Sequence, residues 1–243
     1  MIIDILTLFP KMFSGVFEES IIKLAQSKRL IEINVVNIRD FSQDKHKKVD
    51  DKPYGGGAGM VLSPGPVFRA VAHALGRDVD SLAENKSSKS ARVVLLTPQG
   101  KKLNQGVARK LSKYKHLILI AGHYEGFDER IRRMATDEIS IGDYILTGGE
   151  LPAMVLLDSI ARLVPGVLGN KESVPHESFE SIILEHPQYT RPSVFCGLKV
   201  PEILLSGRHK DIEAWRIEQA LKKTKKVRPD LWEEYLKRKG RNG

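Results

Sequence analysis

The chain has 243 residues, with 39 Lys and Arg against 30 Asp and Glu for a formal charge of +9, and a single cysteine, Cys196. That length allows one large domain, or one domain with a smaller appendage, and a substantial core in either case. One cysteine excludes an intrachain disulfide framework and a zinc knuckle and fits a reducing cytoplasm; no apolar run is long enough for a membrane helix, and the charge points to a polyanionic partner, nucleic acid foremost.

Ile2 to Phe9 reads as a buried strand, since Asp4 interrupts the apolar run and neither a basic leader nor a small-residue cleavage site accompanies it. Lys11 to Gln26 carries Met12, Val16, Phe17, Ile21, Leu24 and Ala25 at roughly helical spacing, and Ile31 to Ile38 returns to strand-like alternation. The charged segment Arg39 to Lys52 leads into Lys52-Pro-Tyr-Gly-Gly-Gly-Ala-Gly-Met60, whose glycine density predicts a mobile loop. No Lys followed by Ser or Thr closes it, so it is not a Walker loop, and it lacks the setting of a dinucleotide fingerprint. A helix over Pro66 to Leu75 and a flexible Ser/Lys-rich surface loop over Asp78 to Ser90 follow.

From Arg92 strands alternate with helices. Val93 to Leu96 is closed by Thr97-Pro-Gln-Gly100, and Lys101 to Lys113 reads as a helix. His116 to Ala121 is closed by Gly122-His-Tyr-Glu-Gly126, a short helix spans Phe127 to Met134, and a third strand covers Glu138 to Ile141. This alternation predicts an α/β fold with a parallel sheet, in which ligands bind beyond the carboxyl ends of the strands. The three glycine-bearing turns can therefore meet at one pocket.

The third turn, Ile141-Gly-Asp-Tyr-Ile-Leu-Thr-Gly-Gly-Glu-Leu-Pro152, is too rich in glycine for a strand and too apolar for an ordinary surface loop. Gly142, Gly148 and Gly149 can take positive φ and admit a guest to the main chain. Thr147 and Glu150 have capping-box spacing, with Pro152 in the first helical turn. The helix Glu150 to Val164 is apolar on nearly every face, which suggests burial on several sides and a subunit interface. Arg162 lies four residues after Asp158, a spacing that also suits a plain surface ion pair.

Asn170 to Glu177 has linker character, and two amphipathic helices follow, Ser206 to Lys223 and Pro229 to Lys239. Residues 179–243 hold 14 Lys and Arg against 9 Asp and Glu, and Lys222-Lys-Thr-Lys-Lys-Val-Arg228 is the densest basic run. It suits RNA phosphates, and it equally suits a solvated face.

Six motifs in order, namely Lys52 to Met60, Thr97 to Gly100, Gly122 to Gly126, Ile141 to Pro152, Pro165-Gly-Val-Leu-Gly169 and Tyr189-Thr-Arg-Pro192, closely resemble the TrmD family, the bacterial tRNA (guanine-N1)-methyltransferases of the SPOUT class. The resemblance runs from residue 1 to about residue 235. It implies an α/β domain over 1–165 with a deep trefoil knot, a flexible linker over 166–178, and a basic helical tRNA-binding domain over 179–243. Periodicity alone proposes no knot. The resemblance further implies a cytoplasmic homodimer that uses S-adenosyl-L-methionine and acts at the subunit interface on the anticodon stem-loop of tRNA, methylating N1 of the guanine 3′ of the anticodon and so maintaining reading frame.

Carried over by motif, Pro98, Gly122, Ile141, Gly142, Asp143, Tyr144, Ile145 and Leu146 line the cofactor pocket, with Gly148, Gly149 and Pro152 completing its wall. Arg162 is the donor to guanine O6. Glu177 is the base for the N1 proton, with Glu172, His176 and Glu180 as nearby rivals. The family has Asp at Glu177, and many members have Arg at His123. Glu125 faces the guanine, with a magnesium ion as an alternative ligand that the sequence does not assign.

Overall fold

The computed structural model describes residues 1–82, 91–168, 178–179 and 182–240. The chain divides into two compact units, Met1–Gly169 and Asn170–Gly243. In the first, strands β1 (Ile2–Thr7), β2 (Glu32–Asn37), β5 (Ala91–Lys102), β6 (His116–Ala121) and β7 (Asp137–Ser140) form a sheet in the order β2-β1-β6-β5-β7, and every pairing is parallel. A short antiparallel pair, β3 (Asp50–Asp51) with β4 (Val61–Leu62), flanks the glycine-rich segment.

Successive residues of a strand face opposite sides of the sheet, and this allots the core cleanly. Ile3 and Ile5, Val94 and Leu96, and Leu117, Leu119 and Ala121 face one side, where α2 (Ser20–Ser27), α4 (Gln105–Leu111) and α6 (Glu150–Ala161) cover them. Leu6, Val93, Leu95, Ile118 and Ile120 face the other, under α3 (Pro64–Leu75) and α5 (Arg130–Met134). Strands buried on both faces read as continuous apolar runs rather than alternating ones, which is why β5 and β6 stand out in the sequence.

Three local expectations are corrected. The helix expected over Lys11 to Gln26 is broken: a 3-10 turn at Pro10–Phe13 and α1 (Ser14–Phe17) precede α2, because Ser20 takes φ 52°. Thr97 to Gly100 does not end its strand. Leu96 and Lys101 both pair with Ile139, so these four residues bulge out and β5 resumes through Lys102. A Cβ on Gly100 would fall 2.4 Å from the backbone nitrogen of Ile139, so only glycine lets the strand rejoin β7 there. The following helix consequently starts at Gln105, capped by Asn104, whose Oδ1 accepts from Val107 N–H at 3.0 Å.

The third correction concerns the start of α6. Thr147 does not cap it; Gly149 is the N-cap residue and no side chain caps the helix. Glu150 instead turns inward, 1% exposed, and its Oε1 accepts from Thr7 Oγ1 at 2.8 Å. α6 buries Ala153, Leu156, Leu157, Ile160 and Ala161, while Leu151 and Val155 stay 50% and 47% exposed. Its apolar girdle is thus only half covered.

Of the Asp78 to Ser90 loop, Asp80–Leu82 forms a 3-10 turn that buries Leu82, and residues 83–90 lie outside the described set. The second unit contains a hairpin of β8 (Val194–Phe195) and β9 (Leu198–Lys199), then α7 (Glu202–Leu205), α8 (His209–Val227) and α9 (Pro229–Lys239). Thr224 Oγ1 accepts from Leu184 N–H at 2.9 Å and ties the incoming segment to α8. Trp232 and Tyr235 stack at 5.4 Å.

Candidate active site

Segments from the bulge in β5 and from the carboxyl ends of β6 and β7 surround a cavity of about 260 Å³. The β5 bulge contributes Thr97 and Pro98, the turn after β6 contributes Gly122 to Phe127, and the path from β7 into α6 contributes Ile139 to Gly142, Tyr144 to Gly149 and Pro152. The convergence expected from the turns is therefore present. Gly149 N–H donates to Gly122 O at 2.7 Å and joins the second segment to the third.

Among the residues assigned to the cofactor, Pro98, Gly122, Ile141, Gly142, Tyr144, Ile145, Leu146, Gly148, Gly149 and Pro152 all line this cavity, as does Glu125. Asp143 does not. Its side chain is 83% exposed and pairs with Lys102 Nζ at 2.6 Å, so this carboxylate tethers the segment to the end of β5. Gly142 has positive φ, at 156°, whereas Gly149 sits at φ −84°. For Gly149 the need is closeness: a Cβ would fall 2.7 Å from Ala121 Cα and 2.8 Å from Gly122 N.

The glycine-rich segment adjoins this site, which its sequence did not reveal. Glu125 N–H donates to Met60 O at 3.1 Å, and Leu62 N–H donates to Gly126 O at 3.0 Å. Behind the turn, Asp128 accepts from both Nε and Nη2 of Arg130 at 2.8 Å. The Arg130 side chain, ahead of a backbone hydrogen bond from the same residue, holds the Asp128 carboxyl below its ordinary range.

Leu96, Thr97, His123, Tyr124, Gly126, Phe127, Ile139, Ser140 and Thr147 also line the cavity, beyond the residues that the motifs assign to it. His123 lay inside a recognised motif, so a scan of motif residues for titratable groups would have found it. Arg162 forms the C-terminal cap of α6, its N–H on Asp158 O at 3.4 Å, and is not among the residues lining the cavity. Glu177, with its rivals Glu172, His176 and Glu180, lies outside the described residues. Among the described residues no cluster of three or more His, Cys, Asp or Glu is placed to hold a metal ion, and no helix is long and apolar enough to cross a membrane.

Within the second unit a separate cavity of about 720 Å³ is lined by the 186–191 segment, Ser193, Val200, Leu204, Leu205 and the first two turns of α8; Arg191, Arg216, His186 and His209 lie on its wall. Lys222, Lys223, Lys225 and Lys226 are exposed on α8.

The family described as tRNA (Guanine-1)-methyltransferase TrmD matches residues 1–234. A tRNA (guanine-N(1)-)-methyltransferase of Geobacillus kaustophilus is 58% identical over 234 residues, covering 96% of this chain and 92% of the relative. The enzyme of that name from Halalkalibacterium halodurans is 57% identical, with 95% and 91% covered, and that from Shouchella clausii 54%, with 96% and 92% covered. A match along almost the whole chain, glycine turns included, makes this protein a member of the TrmD family of tRNA (guanine-1)-methyltransferases.

Proposed function

We propose that this chain, a tRNA methyltransferase by family, moves the methyl group of S-adenosyl-L-methionine to N1 of the guanine immediately 3′ of the anticodon, and thereby maintains reading frame in the cytoplasm. The observation that carries the reading is the meeting of segments from β5, β6 and β7 on one cavity. Such a lining suits the donor. Leu96, Ile139, Ile145, Leu146 and the Tyr144 ring offer apolar walls, and the turns bring backbone N–H and C=O groups to a heteroaromatic edge. In this reading the path from β7 to α6 is part of a trefoil knot, which would hold the three segments in fixed relation. Asp143 then acts through its tether to Lys102 rather than by touching the cofactor.

Bound S-adenosyl-L-methionine supplies an electrophilic methyl on a sulfonium. Guanine N1 carries a proton and is a poor nucleophile, so Glu177 accepts that proton as the N1 electron pair attacks and the carbon–sulfur bond breaks. Negative charge gathers at O6, where the Arg162 guanidinium donates to it. Glu125 contacts the guanine. The Watson–Crick edge is reached only after the base leaves the anticodon-loop stack.

The half-exposed apolar face of α6 supports a homodimer, with the cofactor held by one subunit and the base supplied by the other. Glutamates at both Leu151 and Val155 should give monomers by sedimentation, with transfer lost. The C-terminal unit grips the anticodon stem through its exposed α8 lysines and the two arginines of its own cavity. Transfer of radiolabel from S-adenosyl-L-methionine to unmodified tRNA tests the whole reading; donor binding without transfer would mark an RNA-binding relative that has lost catalysis. Affinity for tRNA should fall linearly on a log–log plot against salt, by roughly 0.7 to 0.9 per phosphate contact, and a flat response would remove the basic unit from the account.

A further inference from the structure

Behind the cavity lies a buried carboxylate that the reaction above leaves without a task. Glu150 Oε1 is satisfied by Thr7 Oγ1, and Thr7, itself fully buried, accepts from Phe9 N–H at 2.9 Å. Glu150 Oε2 lies 3.7 Å from His123 Nδ1. That is within ion-pair reach, though longer than the about 2.9 Å of an N–H···O hydrogen bond. Nδ1 is buried and has no hydrogen-bond partner.

The imidazole is held on its other sides as well. The Phe9 ring is 4.7 Å away and Tyr124 meets it edge-on at 5.5 Å. Gly148 leaves the two groups facing each other: a Cβ there would fall 2.3 Å from Glu150 Oε2 and 2.4 Å from His123 Nδ1. A buried carboxylate with only a neutral hydroxyl on one oxygen calls for a cation at the other, and among the described residues His123 is its one ion-pair partner. Of the residues lining the cavity, His123 alone can carry positive charge, whereas Glu125 is the lone carboxylate.

We propose that Glu150 is a positioning residue that holds His123 as an imidazolium, with Nδ1–H turned to Oε2 and Nε2–H presented to the cavity, where it donates to a negatively charged oxygen of the bound reactants. Which nitrogen of a histidine faces a ligand is set by the partner of the other nitrogen. This rests on the methyl-transfer reading, which supplies two such oxygens: the carboxylate of the methyl donor and guanine O6 as charge develops on it.

His123→Phe keeps a ring against Phe9 and Tyr124 but removes both nitrogens. Glu150→Gln keeps the Thr7 hydrogen bond and removes the charge. His123→Arg restores a cationic donor, and His123→Gln a neutral one. Donor affinity by calorimetry and single-turnover transfer at saturating donor are measured for each. If the oxygen is the donor's carboxylate, His123→Phe weakens donor binding by about tenfold or more, the scale of one charge-assisted hydrogen bond; if it is O6, affinity holds and the transfer rate falls by as much. In either arm Glu150→Gln reproduces the defect in part and His123→Arg recovers more than His123→Gln.

Affinity and rate both within about twofold of the parent in folded His123→Phe would overturn the proposal, as would equal activity of the Arg and Gln variants should the Phe variant fail to fold. A parent protein that transfers no label would instead defeat the methyl-transfer reading before any variant is compared.

Discussion

Alanine at Arg162 or at Glu177 is expected to slow methyl transfer to tRNA by about 10²- to 10⁴-fold, the range for loss of one oxyanion donor or one general base. Affinity for the methyl donor should stay within about twofold, because on the proposed mechanism both groups act only as charge moves on guanine. The two effects differ in kind. On the proposed mechanism, loss of Glu177 leaves the N1 proton to water, so the nucleophile forms slowly, and loss of Arg162 leaves the O6 charge uncompensated. Glu177→Asp shortens the reach by one methylene and keeps the carboxylate, so a sizeable fraction of the rate should survive. Single-turnover transfer with calorimetry of donor binding checks all three, and a parental rate in either alanine variant removes that residue from the mechanism.

Gly149→Ala should act on the walls rather than the chemistry. The added Cβ would meet Ala121 Cα at 2.7 Å and Gly122 N at 2.8 Å. Backbone atoms cannot swing aside as the tip of a flexible chain can, so the second and third cavity segments must separate and the Gly149 to Gly122 hydrogen bond must stretch. Overpacking of this kind costs about 1–3 kcal/mol, and each kcal/mol lowers Tm by about 2–4 °C for a domain of this size. Donor binding should weaken along with stability. Gly15→Ala, where a Cβ meets nothing within 4 Å, should leave both unchanged; equal behaviour of the two variants would show that the close approach at Gly149 does not matter.

The parallel sheet was legible because β5 and β6 are apolar on both faces, a pattern that survives without knowledge of their partners. What failed was local. Thr97-Pro98-Gln99-Gly100 carries turn residues and reads as a strand end, yet pairing of Lys101 and Lys102 with β7 pulls the chain back into the sheet, and such pairing has no local signature. Thr147 and Glu150 have the spacing of a reciprocal cap, but a buried hydroxyl on β1 recruits the glutamate instead. Glycine turns pointed to most of the cavity wall; Leu96 and Phe127 could be added only once the strands were side by side. Asp143 shares a motif with its neighbours, yet its side chain is largely exposed and pairs with Lys102.

Where one stretch of main chain crosses another without room for a side chain, the recess they frame tolerates little change at the crossing. Exchanging Ile141, Ile145 or Leu146 for another aliphatic residue keeps an apolar wall, whereas a side chain at Gly100 or Gly149 would strike backbone atoms of a neighbouring segment. Saturation mutagenesis scored by methyl transfer should therefore show intolerance at Gly100 and Gly149, where tertiary crowding leaves no room, and latitude along the aliphatic positions between them.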